Sequence, residues 1–173
     1  MNTTLSERVV TASLDSPVGP LLVGVTDDGI CLLEFAEPAR REAQLAALRR
    51  QFGGDIEPGE HEHVDVLRRE LDEYFAASRQ TFTVPLVLSG TPFQRRVWQQ
   101  LMRVPYGETR SYEDIGRAIA APTASRAVGA ANGQNRIAIV IPCHRVINKG
   151  GGLGGYGGGL WRKEFLLDLE RRG

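Results

Sequence analysis

The most informative stretch of this chain is Ile139-Val140-Ile141-Pro142-Cys143-His144-Arg145-Val146. An apolar run ends in a proline, and a cysteine, a histidine and an arginine follow directly. The run predicts a buried strand or strand-like segment, and Pro142 restricts the residue before it to extended geometry, which argues against a helix through this site. Neighbouring imidazole or cationic groups favour the thiolate, the nucleophilic form of cysteine. The stretch therefore predicts one reactive thiol at the end of a fixed segment.

An inert core cysteine is the alternative interpretation of Cys143, because free cysteine is among the most buried residue types. The segment 150–159 weighs against it, since eight of its ten residues are glycine. Packing around a core cysteine does not require so many glycines. Many glycines are instead typical of a loop that a ligand approaches closely.

Charge is divided unevenly along the 173 residues, although the net charge is zero. Residues 1–90 hold 8 basic and 15 acidic residues, a net charge of −7, whereas residues 91–173 hold 13 basic and 6 acidic residues, a net charge of +7. A basic half joined to an acidic half indicates a polyanionic partner for the basic half. An effect on solubility alone is the alternative, but the basic half also carries the cysteine.

Sequence patterns predict a small antiparallel sheet with two helices in the first half. Strands are expected at 8–14, 21–25 and 30–35, helices at 39–52 and 64–77, and a strand-like segment at 81–86. Asp27-Asp28-Gly29 is a short hairpin signal, and the second helix has apolar residues at three- to four-residue spacing. Residues 53–59 break the pattern, and Ser89-Gly90 is expected to be a linker.

The second half is expected to consist of shorter helices. Thr91 fits a helix N-cap with Pro92 in the first turn, and the segment 111–114 resembles a capping box with Asp in the acidic position. Pro122 separates that helix from a short one near 125–132. Two short helices joined by about three residues indicate a helix-turn-helix. A last helix is expected at about 160–170, and its inward face is expected to hold Phe165, Leu166 and Leu169.

Six stretches in one order, over about half of the chain, carry a resemblance to a known family: 91–98, 105–112, 126–129, 132–135, 141–146 and 154–160. Together they resemble the DNA-binding and active-site domain of the O6-alkylguanine-DNA alkyltransferases, also called methylated-DNA–protein-cysteine methyltransferases. The Pro-Cys-His-Arg core, with Asn135 eight residues before the cysteine, is the most specific of them. Residues 1–90 resemble the family's N-terminal domain more loosely, mainly through the hairpin at 14–35.

The resemblance implies an α/β chain with two domains. Residues 1–88 would form a ribonuclease H-like α/β supporting domain with a small antiparallel sheet. Residues 89–173 would form a mainly helical winged helix-turn-helix domain that holds the DNA-binding surface and the active site.

The chemistry that the resemblance implies is a direct displacement. The Cys143 thiolate attacks the alkyl carbon on guanine O6, and also that on O4-alkylthymine, and keeps the alkyl group as a thioether, so each molecule acts once and needs no cofactor. His144 would accept the thiol proton through one water, Glu170 would orient the imidazole, and Asn135 would brace the helix-turn-helix against the cysteine segment. From the residues alone, Glu170 is interpreted as an ordinary charge on a terminal helix, and a helix C-cap is the alternative for Asn135.

The implied partner is double-stranded DNA carrying O6-alkylguanine, contacted through its minor groove, with the target base rotated out. Arg126 would fill the gap in the stack, Tyr112 would crowd the 3′ phosphate, and Ala127 and Gly129 would allow close approach. A phosphate contact for Arg126 and a core position for Tyr112 are the alternatives. The implied base pocket consists of Tyr156, Val146, Gly154, Gly155 and Gly157. Small residues at 155 and 157 indicate room for alkyl groups larger than methyl.

Three other functions compete with this interpretation. A non-catalytic sensor of alkylated DNA would lack the cysteine, a transcription regulator would need only the helix-turn-helix, and a thiol hydrolase would turn over. The sequence departs from the family at Arg136, where a proline is usual. The arginine either loosens the cysteine segment or adds a DNA contact.

Composition also limits the compartment and the metal content. No run approaches the ~20 apolar residues of a membrane span, and the N-terminus has no apolar signal core. Two cysteines indicate a reducing, cytoplasmic compartment, and a monomer is expected. Cys31 is expected in the core. No metal site is expected, because His61 and His63 with Cys31 are the only spare ligands.

Overall fold

A computed structural model describes residues 7–173, and their contacts group the chain into two units. The first unit consists of the described residues up to Asp72 together with Thr83–Ser89, and Glu73–Phe82 and Gly90–Gly173 form the second. The first unit holds a small sheet with helices and the second is mainly helical, so the predicted α/β class is confirmed. Glu73–Phe82 lies in the first half of the sequence but belongs with the second unit.

The sheet of the first unit has four strands in the order β3-β2-β1-β4. Its elements are β1 (Val9–Leu14), β2 (Leu21–Thr26), β3 (Gly29–Phe35), α1 (Pro38–Phe52), β4 (Ile56–Pro58) and α2 (Glu62–Phe75), the last ending in the second unit. The predicted hairpins pair antiparallel, and β4, which was not predicted, adds a parallel pairing with β1. The helical connection through α1 makes this possible, because a crossover can return the chain in the same direction.

The segment 81–86 was expected to be strand-like, but within residues 7–173 it makes only a single bridge, between Ile30 and Leu86. Its amide donors are used elsewhere. The buried Glu70 carboxylate accepts the backbone N–H groups of Thr83 and Val84 at 2.9–3.0 Å. Pro85 has no N–H to donate. A side chain and a proline therefore replace the ladder that the pattern predicts.

The core of the first unit lies between the sheet and α1. Buried side chains from β1, β2, β3 and α1 form it: Val9, Leu22, Cys31, Leu32 and Leu48. Cys31 is a free thiol there, as expected of a core residue, and burial raises its pKa to about 12.

The second unit contains α3 (Pro92–Leu101), β5 (Arg110–Ser111), α4 (Tyr112–Ala118), α5 (Ser125–Gly133), β6 (Val146–Ile147) and α6 (Leu160–Arg172). Both predicted helix starts are confirmed. The Thr91 hydroxyl accepts the Gln94 N–H at 3.1 Å, and the Ser111 hydroxyl accepts the Asp114 N–H at 3.0 Å, each within a reciprocal capping box. Caps are local signals, which is why the sequence predicts them well.

The helix-turn-helix pair, α4 and α5, has a longer connection than expected. The sequence predicted about three residues, and the connection covers residues 119–124. It turns at Ala120, whose φ is 59°. The Ala121 N–H then bonds back to the Gly116 carbonyl at 2.8 Å.

The apolar run before Cys143 is buried but is not a strand, so that expectation is wrong. Residues 138–140 form a turn, in which Ile139 has a φ of 70° and the Ile141 N–H bonds to the Ile137 carbonyl at 3.0 Å. Pro142 was expected to argue against a helix through this site. A single 3-10 turn, Cys143–Arg145, nevertheless begins directly after it. Burial alone produced the apolar pattern, and a short apolar run does not distinguish a strand from a buried turn.

The inward face of α6 is formed by Leu166 and Leu167 together with Lys163 and Glu170. Leu166 was expected there. Phe165 is exposed and Leu169 is only half-buried, so the face is rotated relative to the prediction.

Candidate active site

Cys143 opens the 3-10 turn and is 6% exposed, with a free thiol. Burial raises its pKa above the ordinary value. The Asn135 side chain, the positive charge of Lys163 and the backbone N–H groups of Cys143 and His144 act in the opposite direction. The resting thiol is therefore neutral, and several donors are already placed to stabilise a thiolate.

His144 and Glu170 form a buried pair, with His144 Nε2 2.7 Å from Glu170 Oε2. Burial lowers the pKa of His144, and the neighbouring carboxylate only partly offsets this. A neutral imidazole that donates through Nε2–H has an acceptor at Nδ1. Nδ1 is buried and has no hydrogen-bond partner among residues 7–173. The ring is therefore oriented by Glu170 and has one nitrogen available for a proton.

Glu170 also accepts hydrogen bonds from three other residues. The Arg145 guanidinium donates at 2.7 and 3.1 Å, the Tyr74 hydroxyl at 2.6 Å, and the Gly107 N–H at 3.5 Å. Burial alone would raise the pKa of Glu170, but the bonds to His144 and Arg145 outweigh it and lower the pKa to about 2. The carboxylate is therefore ionised and held from several sides. Sequence reasoning missed Tyr74, and it considered Arg145 only as a cation near the thiol and not as a partner of Glu170.

Two asparagines fix the chain around the nucleophile. Asn135 Nδ2 donates to the Ile141 carbonyl at 3.0 Å, and its Oδ1 accepts the Ile137 N–H at 2.9 Å. Asn132, in the last turn of α5, donates from Nδ2 to the Cys143 carbonyl at 3.4 Å. Asn132 thereby connects α5 to the cysteine segment, whereas the bonds of Asn135 stay within the segment that leads to the cysteine. The predicted role of Asn135 in bracing the helix-turn-helix stays a prediction. Asn132 was not singled out from the sequence.

Lys163 is a fully buried lysine that the sequence did not identify. Its ammonium donates to the Val146 carbonyl at 2.7 Å, to the Gly155 carbonyl at 3.2 Å and to the Leu153 carbonyl. Burial lowers its pKa, and the nearby Cys143 thiolate would raise it. Lys163 therefore holds the glycine-rich loop against β6 and places a positive charge near the sulfur. Its neighbours Arg162 and Glu164 make this stretch look like an ordinary solvent-facing helix surface.

The glycine-rich loop approaches Tyr112 closely. Gly154 has a φ of 70°, and a Cβ at this position would lie 3.2 Å from the Tyr112 hydroxyl. A Cβ at Gly129 of α5 would lie 3.8 Å from the other side of the same ring. Tyr112 is thus half-buried between α5 and the loop, and burial followed by the charge of Cys143 raises its pKa.

Of the remaining predicted pocket residues, Tyr156 lies close enough to Cys143 for the two groups to interact electrostatically. Burial first, and then the charge of Cys143, raises the pKa of Tyr156 well above its ordinary value. A Cβ added at Gly155 or Gly157 would meet no atom within 4 Å. Both glycines are exposed, so the open space beside them is solvent.

Arg126 and Ala127 occupy a different place from the cysteine cluster. Both are exposed in the first turn of α5. Among the hydrogen bonds of residues 7–173, none joins either residue to Cys143, His144 or Glu170. The structure thus brings together the predicted nucleophile, base, carboxylate and loop, with Tyr112 and Gly129 beside the loop, and it leaves Arg126 and Ala127 on an open helix face.

Two family models match almost the whole chain. Residues 9–88 match the ribonuclease-like domain of 6-O-methylguanine DNA methyltransferase, and residues 92–172 match the DNA-binding domain of the same family. The chain belongs to the 6-O-methylguanine DNA methyltransferase family. This confirms the resemblance that the sequence motifs indicated.

Individual members of the 6-O-methylguanine DNA methyltransferase family agree with this assignment over nearly their full length. The methylated-DNA–protein-cysteine methyltransferase of Mycolicibacterium paratuberculosis is 45% identical, with 92% of this chain and 91% of the relative covered. The constitutive enzyme of that name from Bacillus subtilis is 41% identical, with coverages of 91% and 92%. A crystal structure of Mycobacterium tuberculosis OGT in complex with DNA is 42% identical with a TM-score of 0.79, covering 95% of this chain and 93% of that one.

No helix within residues 7–173 is both long and apolar enough to cross a membrane. No group of three or more His, Cys, Asp or Glu side chains in the same range is arranged to hold a metal ion. His61 Nε2 instead lies 2.9 Å from an Asp27 carboxylate oxygen.

Proposed function

We propose that this protein repairs alkylated DNA by moving the alkyl group from O6-alkylguanine onto Cys143. The observation that carries the proposal is the buried series formed by the Cys143 thiol, the His144 imidazole and the Glu170 carboxylate, in a chain of this family. It is the nucleophile, base and orienting group of a reaction at a thiolate.

The first step is loss of the thiol proton. Glu170 holds Nε2–H of His144, so Nδ1 is the nitrogen that can accept a proton, through one bridging water from Cys143. The Lys163 charge and the Asn135 amide lower the energy of the thiolate that remains. Burial opposes this ionisation, so the thiolate forms only as the site is used.

The second step is the transfer itself. Sγ forms a bond to the alkyl carbon while the bond from that carbon to O6 breaks, and the guanine leaves with the electron pair and takes up a proton. The Tyr112 hydroxyl, which lies beside Gly154, is placed to donate a hydrogen bond to the leaving base. The product is a thioether that mild conditions do not hydrolyse. Each molecule therefore reacts once and needs no cofactor.

DNA supplies the target base through rotation out of the duplex, which costs a few kcal/mol of stacking. The exposed Arg126 and Ala127 on α5 support a contact of this helix with the minor groove, with Arg126 filling the gap that the base leaves. Tyr156 would pack against the rotated base. Acceptance of alkyl groups larger than methyl is part of the proposal, because Gly155 and Gly157 add no side chain to the loop, and O4-alkylthymine is included as well.

The cell context belongs to the same proposal. Two free thiols support a reducing, cytoplasmic location, and a monomer is sufficient because every group used here comes from one chain. Residues 89–173 would carry the reaction and the DNA contact, while residues 1–88 would support them.

The test measures how much damaged DNA each protein molecule repairs. A duplex holding one O6-methylguanine is mixed with the protein, and restored guanine is counted against protein added. Repair ending at one guanine per protein is expected, and Cys143→Ser is expected to bind the duplex without restoring any. Cys31→Ser is the matched control, because Cys31 is the other buried free thiol and should be dispensable. Tight binding without repair by the native protein would instead indicate a sensor, and repeated turnover would indicate a hydrolase.

A further inference from the structure

The strongest feature outside the proposed chemistry is the hydroxyl of Tyr74. It donates to Glu170 Oε2 at 2.6 Å, the same oxygen that lies 2.7 Å from His144 Nε2. Tyr74 is fully buried, and burial followed by the charge of Glu170 raises its pKa far above the ordinary value. It is therefore a permanent O–H donor to this carboxylate.

The Tyr74 hydroxyl and the His144 ring share Glu170 Oε2, so the Tyr74 hydrogen bond changes how strongly this oxygen attracts a proton onto His144. Each hydrogen bond to a carboxylate stabilises its negative charge and lowers its affinity for another proton. With Tyr74 in place, Oε2 attracts a proton onto His144 less strongly than a carboxylate without that donor. In a buried site such a contact is weakly screened, so its effect on the base is larger than in water.

We propose that Tyr74 is a positioning residue of the alkyl-transfer site: its hydroxyl holds Glu170 beside His144 and limits how strongly that carboxylate draws a proton onto the imidazole. This inference rests on the function proposed above. It also gives Glu73–Phe82, which comes from the first half of the sequence, a direct place in the machinery of the second unit.

The charged and titratable groups around the pair come from every element packed against it. Arg145 of the 3-10 turn donates to both Glu170 oxygens, and Lys163 of α6 acts on the imidazole. The half-buried Tyr106 and Tyr156 of the glycine-rich loop are two further phenols near the Glu170 charge. All of these stay unchanged when only the Tyr74 hydroxyl is removed. A difference between the two proteins therefore reports that one donor.

The direction of the effect follows from the resting state of the pair. Burial raises the pKa of the Cys143 thiol and lowers that of His144, so both are neutral at rest and the acid side of the rate profile reports His144. Tyr74→Phe leaves Oε2 with fewer donors and raises the pKa of His144. The acid limb of the methyl-transfer rate should move to higher pH by about half a unit.

Tyr106→Phe is the matched control. The rings of Tyr74 and Tyr106 meet edge to face at 6.1 Å, and the Tyr106 hydroxyl is also buried but has no hydrogen-bond partner among residues 7–173. Both variants keep their ring and lose one buried hydroxyl. Only one of them loses a bond to Glu170.

The experiment measures the rate of methyl transfer from a duplex holding one O6-methylguanine between about pH 5 and pH 9 for the native protein and both variants. Histidine resonances are followed by NMR over the same range without DNA, and the three histidines of the chain make this spectrum simple. A shifted acid limb and a shifted His144 titration in Tyr74→Phe, with neither in Tyr106→Phe, support the proposal. A rate that falls equally at every pH, or equal behaviour of the two variants, overturns it.

A second background, Glu170→Gln, tests whether Tyr74 acts through the Glu170 charge, and the DNA-free titration does not depend on the proposed function. In Glu170→Gln, adding Tyr74→Phe should leave the His144 titration where it was, because the shared acceptor charge is gone. A further shift there would mean that Tyr74 acts by another route. If the native protein fails to transfer a methyl group, the function above is wrong, whereas the DNA-free titration still decides the role of Tyr74.

Discussion

Glu170→Gln is the substitution whose cost the structure predicts most fully. The carboxylate accepts hydrogen bonds from His144, Arg145, Tyr74 and Gly107, and all are donors. A glutamine has the same shape, but its –NH2 must face one set of these donors. At least one contact then becomes donor against donor, and the buried Arg145 charge loses its counter-charge.

The magnitude follows from the acidity of the group. Its pKa falls from an ordinary 4.5 to about 2 in the folded protein, a difference that corresponds to about 3 kcal/mol of stability at neutral pH. Removing one partner of a buried ion pair costs about 3–5 kcal/mol in other proteins, which agrees. We therefore expect Glu170→Gln to lower the free energy of unfolding by about 3 kcal/mol or more.

The stabilisation by Glu170 depends on pH, and the lowered pKa of the carboxyl group fixes the direction of that dependence. Because the folded pKa is depressed, the stabilisation is fully present above 4.5 and is lost as the pH falls through about 2. The difference in unfolding free energy between native protein and variant should therefore shrink on acidification through this window. Urea unfolding, followed by tryptophan fluorescence at several pH values, measures it.

Glu164→Gln is the control, since Glu164 is an exposed carboxylate on the same helix. It should change stability by less than about 0.5 kcal/mol at any pH. Should Glu170→Gln cost less than about 1 kcal/mol at neutral pH, or cost the same amount in acid, the reasoning about this carboxylate is refuted.

Three further outcomes are expected. Lys163→Met removes the positive charge beside Cys143, so the pKa of that thiol should rise, and its alkylation by iodoacetamide at neutral pH should slow by about tenfold; an unchanged rate would contradict this. Gly154→Ala should lose about 1 kcal/mol of stability by thermal unfolding, because its φ is positive and Tyr112 is close, whereas Gly155→Ala, which meets no atom, should lose less. Arg126→Ala should slow repair of a duplex lesion and leave the reaction with free O6-methylguanine unchanged; equal loss on both would remove Arg126 from base rotation.

Local signals explain what the sequence predicted about the fold. The helix starts at Thr91 and Ser111 depend on side chains three residues apart, so they are readable without tertiary information. The hairpin of β2 and β3 has the same character. In contrast, the segment at 83–86 fails to form a strand because Glu70, more than ten residues away, takes its amide donors.

The residues of the site also fall into two groups, those that the sequence indicated and those that it did not. Cys143, His144, Glu170 and Asn135 were named through a motif resemblance, and the structure places them in one network, although their roles stay predictions. Tyr74 and Lys163 were missed because a tyrosine and a lysine on amphipathic helices look like ordinary core and surface residues. The boundary predicted at 88/89 likewise stays a prediction.

The central claim is that Cys143 becomes covalently alkylated, and intact mass followed by peptide mapping tests it most directly. The protein is mixed with a duplex carrying one O6-methylguanine and with the same duplex carrying guanine. The account predicts a gain of one methyl group, only with the damaged duplex, located on the peptide that contains Cys143. A protein of unchanged mass, or a methyl group on Cys31, would contradict it.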